Sequence, residues 1–367
     1  MKSKRRSLDT WRTRKPLCIG GQTVERGQTA NLHLDYSESY TGLTISLPIR
    51  VVAAPKPGPT VFLTALIHGD ELNGLGIIHD LFFEGELNLL RGTVVAAPVV
   101  NVFGLESYSR YLPDRRDLNR SFPGRRSGSL TSRLAHLLFS EIIRHCDYGI
   151  DLHTAAVRRT NYPNIRADLD NPNVAALARV FGCELLVHSK GAAGSLRRTA
   201  VKHGIPTIVL EAGEVWKIEP GVVELGARGV ENVLKHLRML PGRRSRPAYQ
   251  RLIRRSAWIR AEAGGVLKFH AKPGEVVRKG QTVATNLGIL GQVKDRILSP
   301  WDGIVLGMTT MPVVKPGEPV YHLAIPDEPI DGIARRIGRR NRTGLHARIQ
   351  QDLATNITLH DSRRRPA

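Results

Sequence analysis

The sequence predicts an α/β fold: a mixed, largely parallel sheet flanked by helices, followed by a small C-terminal all-β domain. Three observations carry this expectation. Short apolar runs such as Val61–Ile67 and Thr207–Leu210 read as strands covered on both faces, because they lack the alternation of half-exposed strands. These runs alternate with segments of helical spacing. After the linker Pro241-Gly-Arg-Arg-Ser-Arg-Pro247 the pattern changes to short β-type runs broken by glycine and proline, with no helical signal from Ala257 to Ile325.

Taken in order, residues 17–60 read as short β segments with turns, Leu43–Val52 among them, before Pro55, Pro57, Gly58 and Pro59 interrupt the chain. Strands are then expected at 61–67, 93–100, 148–152, 184–187 and 207–210. Helices are expected over 72–83, 129–145, 174–181 and 222–240; Leu130, Leu134, Leu137, Leu138 and Ile142 give the second of these its apolar stripe. In the β region, Lys272-Pro-Gly-Glu-Val-Val is echoed by Lys315-Pro-Gly-Glu-Pro-Val, which suggests two similar β units in a small pseudo-twofold sandwich or barrel. The expected division is a basic tail over 1–16, a large α/β domain over 17–243, a β domain over 250–326 and a basic tail over 327–367.

The 367 residues exceed one ordinary core and suit one large and one small domain. The net charge is +21, and about half of it lies in the tails: residues 1–16 hold seven Lys/Arg against one Asp, and 327–367 hold nine Arg against five acids. These tails have little apolar periodicity and read as solvated, mobile segments. Specific nucleic-acid binding is not expected, since no aromatic-rich or zinc-finger pattern accompanies the charge. The surplus would nevertheless concentrate small anions. No apolar run approaches the roughly 18 residues of a membrane span, and no secretory apolar region follows the basic N-terminus. The expected location is cytoplasmic, without membrane attachment. Cys18, Cys146 and Cys183 form neither a disulfide framework nor a thiolate metal pattern.

The residues that can carry chemistry sit where predicted strands end. His68-Gly-Asp-Glu71 follows strand 61–67, Asp151-Leu-His153 closes strand 148–152, and Glu211-Ala-Gly-Glu214 closes strand 207–210. In open α/β sheets, ligands bind beyond the carboxyl ends of the strands, so these groups can converge. Either motif alone is weak, and an acid at a helix start has an ordinary role toward the helix dipole. Together, two imidazoles and a carboxylate form a ligand set for catalytic zinc, with one ion per chain on His68, Glu71 and His153. Gly69 would let the chain bend between the first two. Glu211 is then free to act as a general base. A long polar loop ends in Asn119-Arg120, an amide beside a guanidinium, which suits bidentate recognition of a carboxylate.

Through His68-Gly-Asp-Glu71, Asp117-Leu-Asn-Arg120, Asp151-Leu-His153 and Glu211-Ala-Gly-Glu214, in this order over about residues 17–325, the chain resembles the succinylglutamate desuccinylase/aspartoacylase family of zinc-carboxypeptidase-like hydrolases. The resemblance implies zinc on His68, Glu71 and His153, Glu211 as general base, and Asn119 and Arg120 holding the substrate carboxylate. It also implies that Arg110 stabilises the oxyanion. Arg115 or Arg116 are alternatives, because the loop from Arg110 to Asp117 is two residues longer than in aspartoacylase itself. Residues 257–325 resemble a biotinyl/lipoyl-like β-sandwich, yet Thr285–Gln292 lacks the lysine a carrier would display, so a module shaping the active-site mouth is expected. The functional expectation is a zinc-dependent amidohydrolase acting on a small anionic N-acyl amino acid, with homo-oligomerisation left open. A metallocarboxypeptidase acting on short peptides is the alternative with the same chemistry, and a basic nucleic-acid-binding protein is the alternative of another class.

Overall fold

The computed structural model describes residues 16–85, 87–333 and 345–354. The basic N-terminal segment, apart from Pro16, and most of the C-terminal one lie outside these residues. Thirteen strands form one sheet whose middle is parallel. Thr93–Ala97, Thr60–Ala65, Tyr148–His153 and Thr207–Glu214 run side by side in the same direction. Strand Arg159–Ala167 pairs antiparallel with Thr207–Glu214 and parallel with Leu185–His188. At the opposite edge, the long antiparallel pair Thr29–Glu38 and Thr44–Ala53 extends the sheet. Residues 17–60 thus hold two ten-residue strands rather than only short segments.

Side-chain alternation along Thr60–Ala65 shows why its continuous apolar run is needed. Val61, Leu63 and Ala65 enter the core cluster on one face, and Phe62 enters the cluster on the other. Helices Asn73–His79, Pro172–Phe181 and Pro220–His236 cover the first face, while Leu130–Glu141 and Leu196–Lys202 cover the second. The expected helix over 72–83 ends early, at His79, and gives way to a wider turn over Asp80–Glu84. Strand Arg159–Ala167 and helix Leu196–Lys202 had no clear sequence signal. The strand holds Asn161, Pro163, Asn164 and Arg166, which mask its β pattern.

The C-terminal β region has its own apolar cluster, including Leu267, Phe269, Val283, Val305, Met308, Tyr321 and Leu323. Its four-stranded antiparallel sheet is separate, but its other strands are not. Arg255–Arg260 pairs with Pro319–Ile325, which pairs with Gly303–Thr309, which in turn pairs with Arg159–Ala167. The sheet of the large α/β region therefore continues into the C-terminal region. The sequence echo has a geometric counterpart. In each copy the lysine N–H donates to the glutamate side chain, at 3.1 Å for Lys272–Glu275 and 2.9 Å for Lys315–Glu318, and the glutamate N–H returns to the lysine carbonyl.

Part of the C-terminal segment expected to be solvated is packed instead. Helix Leu345–Asp352 buries His346 and Ile349, and Leu353 follows into the core. It lies against Pro220–His236, where the Gly221 N–H donates to Asp352 at 2.7 Å. Leu345, Ile349 and Leu353 recur every four positions, but the polar and charged residues between them obscured this stripe. No helix among the described residues is long and apolar enough to cross a membrane. Ile349→Ala should lower unfolding free energy by about 2–5 kcal/mol, the usual range for emptying a buried isoleucine site. A denaturant midpoint unchanged from wild type would show that this helix contributes nothing to the fold.

Candidate active site

Three strand ends place the expected residues together. Strand Thr60–Ala65 leaves the sheet at Leu66, which takes φ +50°, and the chain turns through His68–Glu71 with the Glu71 N–H on the His68 carbonyl. Glu71 precedes helix Asn73–His79 rather than lying in its first turn. The Gly69 position is explained by crowding rather than by bending: a Cβ there would sit 1.9 Å from the Gly104 carbonyl carbon. His153 and Glu211 occupy paired positions on adjacent parallel strands. After Glu211 the strand bulges to Gly213, at φ +82°, where a Cβ would meet the Glu219 carboxylate at 2.0 Å. Glu219 and Asn73 clamp this segment through bonds to each other, to the Glu214 N–H and to the Ala212 carbonyl.

Glu71 is the hub. Its carboxylate contacts His68 Nδ1 at 2.6 Å and His153 Nδ1 at 2.8 Å, and it accepts the Thr154 N–H at 3.0 Å. The outer ring nitrogens also meet acids: His68 Nε2 lies 3.2 Å from Asp117, and His153 Nε2 lies 2.8 Å from Asp151. Asp151 is fixed in turn by Thr64 Oγ1 at 2.8 Å. Burial would depress both histidines, but the surrounding carboxylates outweigh it and hold both above the ordinary imidazole value. Burial would likewise raise Glu71 and Asp117, yet the neighbouring cationic groups hold both far below the usual carboxylate range. All four displacements have one origin, the mutual pairing of carboxylates with imidazoles and Arg110 in a buried centre.

His68, Glu71 and His153 each offer a ligand atom, and these atoms lie within 4.8 Å of one another, all on buried side chains. Two imidazoles and a carboxylate, with acids behind the imidazoles to orient them, are a donor set that fits zinc. Asp168, Asp170 and His188 also lie within that distance, but Asp170 is exposed and paired with Arg254 at 3.1 Å. That pairing already neutralises it.

The cleft around this centre has a volume of about 410 Å³. Glu211 enters it with Asn161 Nδ2 donating to Oε2 at 3.1 Å and Arg166 Nη1 3.6 Å from Oε1. Arg110 lines it too, held by Asp117 at 2.9 Å. Of the three arginines raised for this loop, Arg110 lines the cleft, whereas Arg115 and Arg116 are exposed and lie outside its lining. Asn119 and Arg120 line the cleft, and the Leu196 N–H donates to Asn119 Oδ1 at 2.9 Å. Sequence reasoning missed Arg159, Asn161, Arg166, Arg197, Trp258 and His322, which also line it. The first three sit on the unrecognised strand, and the last two come from the C-terminal region.

Residues 57–237 match the family described as the succinylglutamate desuccinylase/aspartoacylase catalytic domain. A solved succinylglutamate desuccinylase/aspartoacylase from Rhodobacter sphaeroides is 29% identical and superposes with a TM-score of 0.71, covering 82% of this chain and 96% of the other. Residues 57–237 are a catalytic domain of the succinylglutamate desuccinylase/aspartoacylase family. Among relatives, an N-alpha-acetyl-L-2,4-diaminobutyric acid deacetylase of Halomonas elongata is 27% identical over 265 residues, 69% of this chain and 77% of that protein. The product-bound ectoine utilization protein EutE (DoeB) from Ruegeria pomeroyi shares the fold, with a TM-score of 0.74 at 21% identity over 85% of this chain and all of the other. Members of this desuccinylase/aspartoacylase family are deacylating hydrolases, and all four sequence motifs fall inside the matched region.

The close approach at Gly69 makes one substitution diagnostic. Gly69→Ala must push the His68–Glu71 turn away from Gly104, and overpacking of this kind costs about 1–3 kcal/mol. Thermal unfolding should register the loss; a variant as stable as wild type would mean that the turn can shift freely.

Proposed function

We propose that this protein is a zinc-dependent amidohydrolase that removes the acyl group from a small N-acyl amino acid. The observation that carries this reading is the meeting of the His68–Glu71–His153 centre and Glu211 in one guanidinium-lined cleft. His68, Glu71 and His153 would hold one zinc ion, which supplies a Lewis acid able to activate water and polarise a carbonyl. Glu211 takes the proton of the attacking water and delivers it to the leaving nitrogen. Asn161 holds the Glu211 carboxylate in place for this step. Arg110, anchored by Asp117, faces the charge that develops on the carbonyl oxygen. Asn119 and Arg120 receive the carboxylate of the amino acid.

A metallocarboxypeptidase would use the same groups but needs room for a peptide on the acyl side. Trp258 and His322 from the C-terminal strands line the cleft, and this favours a small acyl group.

Three variants separate the roles. Metal analysis of purified His153→Ala should show most of the zinc lost, and stoichiometric retention would remove His153 from the ligand set. Glu211→Gln should keep its zinc while turnover of an N-acyl amino acid falls by two or more orders of magnitude, about the size of a general-base contribution. Near wild-type kcat in that variant would assign the base elsewhere. Arg120→Ala should lower kcat/KM about ten- to a hundredfold for a free-acid substrate, from the loss of a charge-assisted bond. Methyl-esterifying that carboxylate should cost the wild type a similar factor without adding to the loss in the variant. Equal cleavage of ester and acid by the wild type would exclude carboxylate recognition.

A further inference from the structure

The guanidiniums of the cleft are not equivalent. Arg110 is bound to Asp117 at 2.9 Å. Arg197 is buried, with its Nη1 donating to the Ser189 carbonyl at 2.8 Å. Among the described residues, the acid near Arg166 is Glu211 at 3.6 Å, and the buried Arg166 Nε has no acceptor. Arg159 has no acidic partner among the described residues. Its guanidinium carbon instead lies 4.9 Å from the centroid of the Trp258 ring, a cation–π contact. Trp258 is itself stacked on His322, with centroids 4.4 Å apart and the rings within 7° of parallel.

This arrangement is fixed by the sheet. Trp258 and His322 are cross-strand partners, His322 pairs with Gly307, and Gly307 pairs with Asn161. Arg159 lies two residues before Asn161, on the same face of the strand. The stack therefore stands in line with the residue that holds Glu211. Glu211 lies nearest Arg166, and no acid among the described residues pairs with Arg159. Burial, then Arg166 and Arg159, push the His322 imidazole down to about 4, so near neutral pH it adds a polar ring and no charge. Burial, then Arg260, also push Arg159 below its ordinary value. A half-buried guanidinium among cations, held in place by an aromatic stack, is a ready receptor for an anion.

We propose that Arg159, held by the Trp258–His322 stack, is a specificity-determining residue that receives an acidic group of the substrate other than the carboxylate assigned to Asn119 and Arg120. The inference rests on reading the cleft as the deacylase site. Trp258 and His322 lie beyond the region matched to the family, residues 57–237. The preferred substrates carry two acidic groups, and a side-chain ammonium would meet an uncompensated guanidinium.

Calorimetry on the full chain with glutarate and pentanoate, which differ by one carboxylate, tests this directly. The wild type should bind glutarate about ten- to a hundredfold more tightly, the range for bonds to charged groups. Arg159→Gln should erase that preference while leaving pentanoate binding unchanged, and Arg159→Lys should retain part of it. Equal wild-type binding of the two ligands, or an Arg159→Gln variant that weakens both alike, would overturn the proposal. Kinetics with N-glutaryl and N-pentanoyl amino acids separate this from the broader reading. Cleavage of both with equal kcat/KM overturns the Arg159 subsite alone. Cleavage of neither, with an Arg159-dependent binding preference intact, supports the subsite and removes the deacylase reading.

Discussion

Glu71 carries a carboxylate that is 2% exposed, and the cleft is arranged around keeping that charge in place. Removing a carboxylate from water costs several kcal/mol unless partners replace its hydration. Here two imidazoles and the Thr154 N–H do so. Those imidazoles are then backed by Asp117 and Asp151, and Asp117 in turn holds Arg110. The cluster runs Arg110–Asp117–His68–Glu71–His153–Asp151, so with neutral imidazoles three carboxylates face one guanidinium. Such a centre favours an added cation, whether as protons on the histidines or as a divalent metal. The raised histidines and depressed carboxylates reflect the same pairing.

Register extends the constraint outward. Because Glu211 pairs with His153, the proposed base and one proposed ligand are placed by main-chain hydrogen bonds rather than by a flexible loop. The same ladder passes from Thr207–Glu214 to Arg159–Ala167 and on to the C-terminal strands. A region with its own apolar core can therefore supply Trp258 and His322 to the cleft without a hinge between them.

The sequence made the parallel middle of the sheet legible because its strands are buried on both faces and read as unbroken apolar runs. The three motifs at strand ends were legible for the same reason: His68, Glu71, His153 and Glu211 stand out where such runs stop. Strand Arg159–Ala167 was not, since it faces the cleft and carries Asn161, Asn164 and Arg166 where an ordinary core strand has apolar residues. Its functional use hid its structural class. The cleft-lining role of Trp258 and His322 was equally hidden, because it depends on pairing between strands about 150 residues apart in sequence. Gly69 was read as a hinge, whereas its constraint comes from Gly104, a contact that no local pattern encodes.

Strand Arg159–Ala167 also explains how a basic tail bears on the site. Asn161 and Tyr162 are consecutive, so their side chains leave opposite faces of the strand. Asn161 bonds Glu211 in the cleft. The Tyr162 hydroxyl donates to Glu184 at 2.5 Å and lies 2.5 Å from His346, which the C-terminal helix Leu345–Asp352 carries into the core. A polar cluster of this kind is stabilising only while its members stay paired, since an orphaned buried hydroxyl or carboxylate costs about 1–3 kcal/mol. Removing the helix would expose the cluster to water and loosen the strand from behind, at the residue next to the one that holds Glu211. The segment whose composition suggested a solvated tail is thus tied, through one dipeptide, to the geometry of the proposed proton transfer.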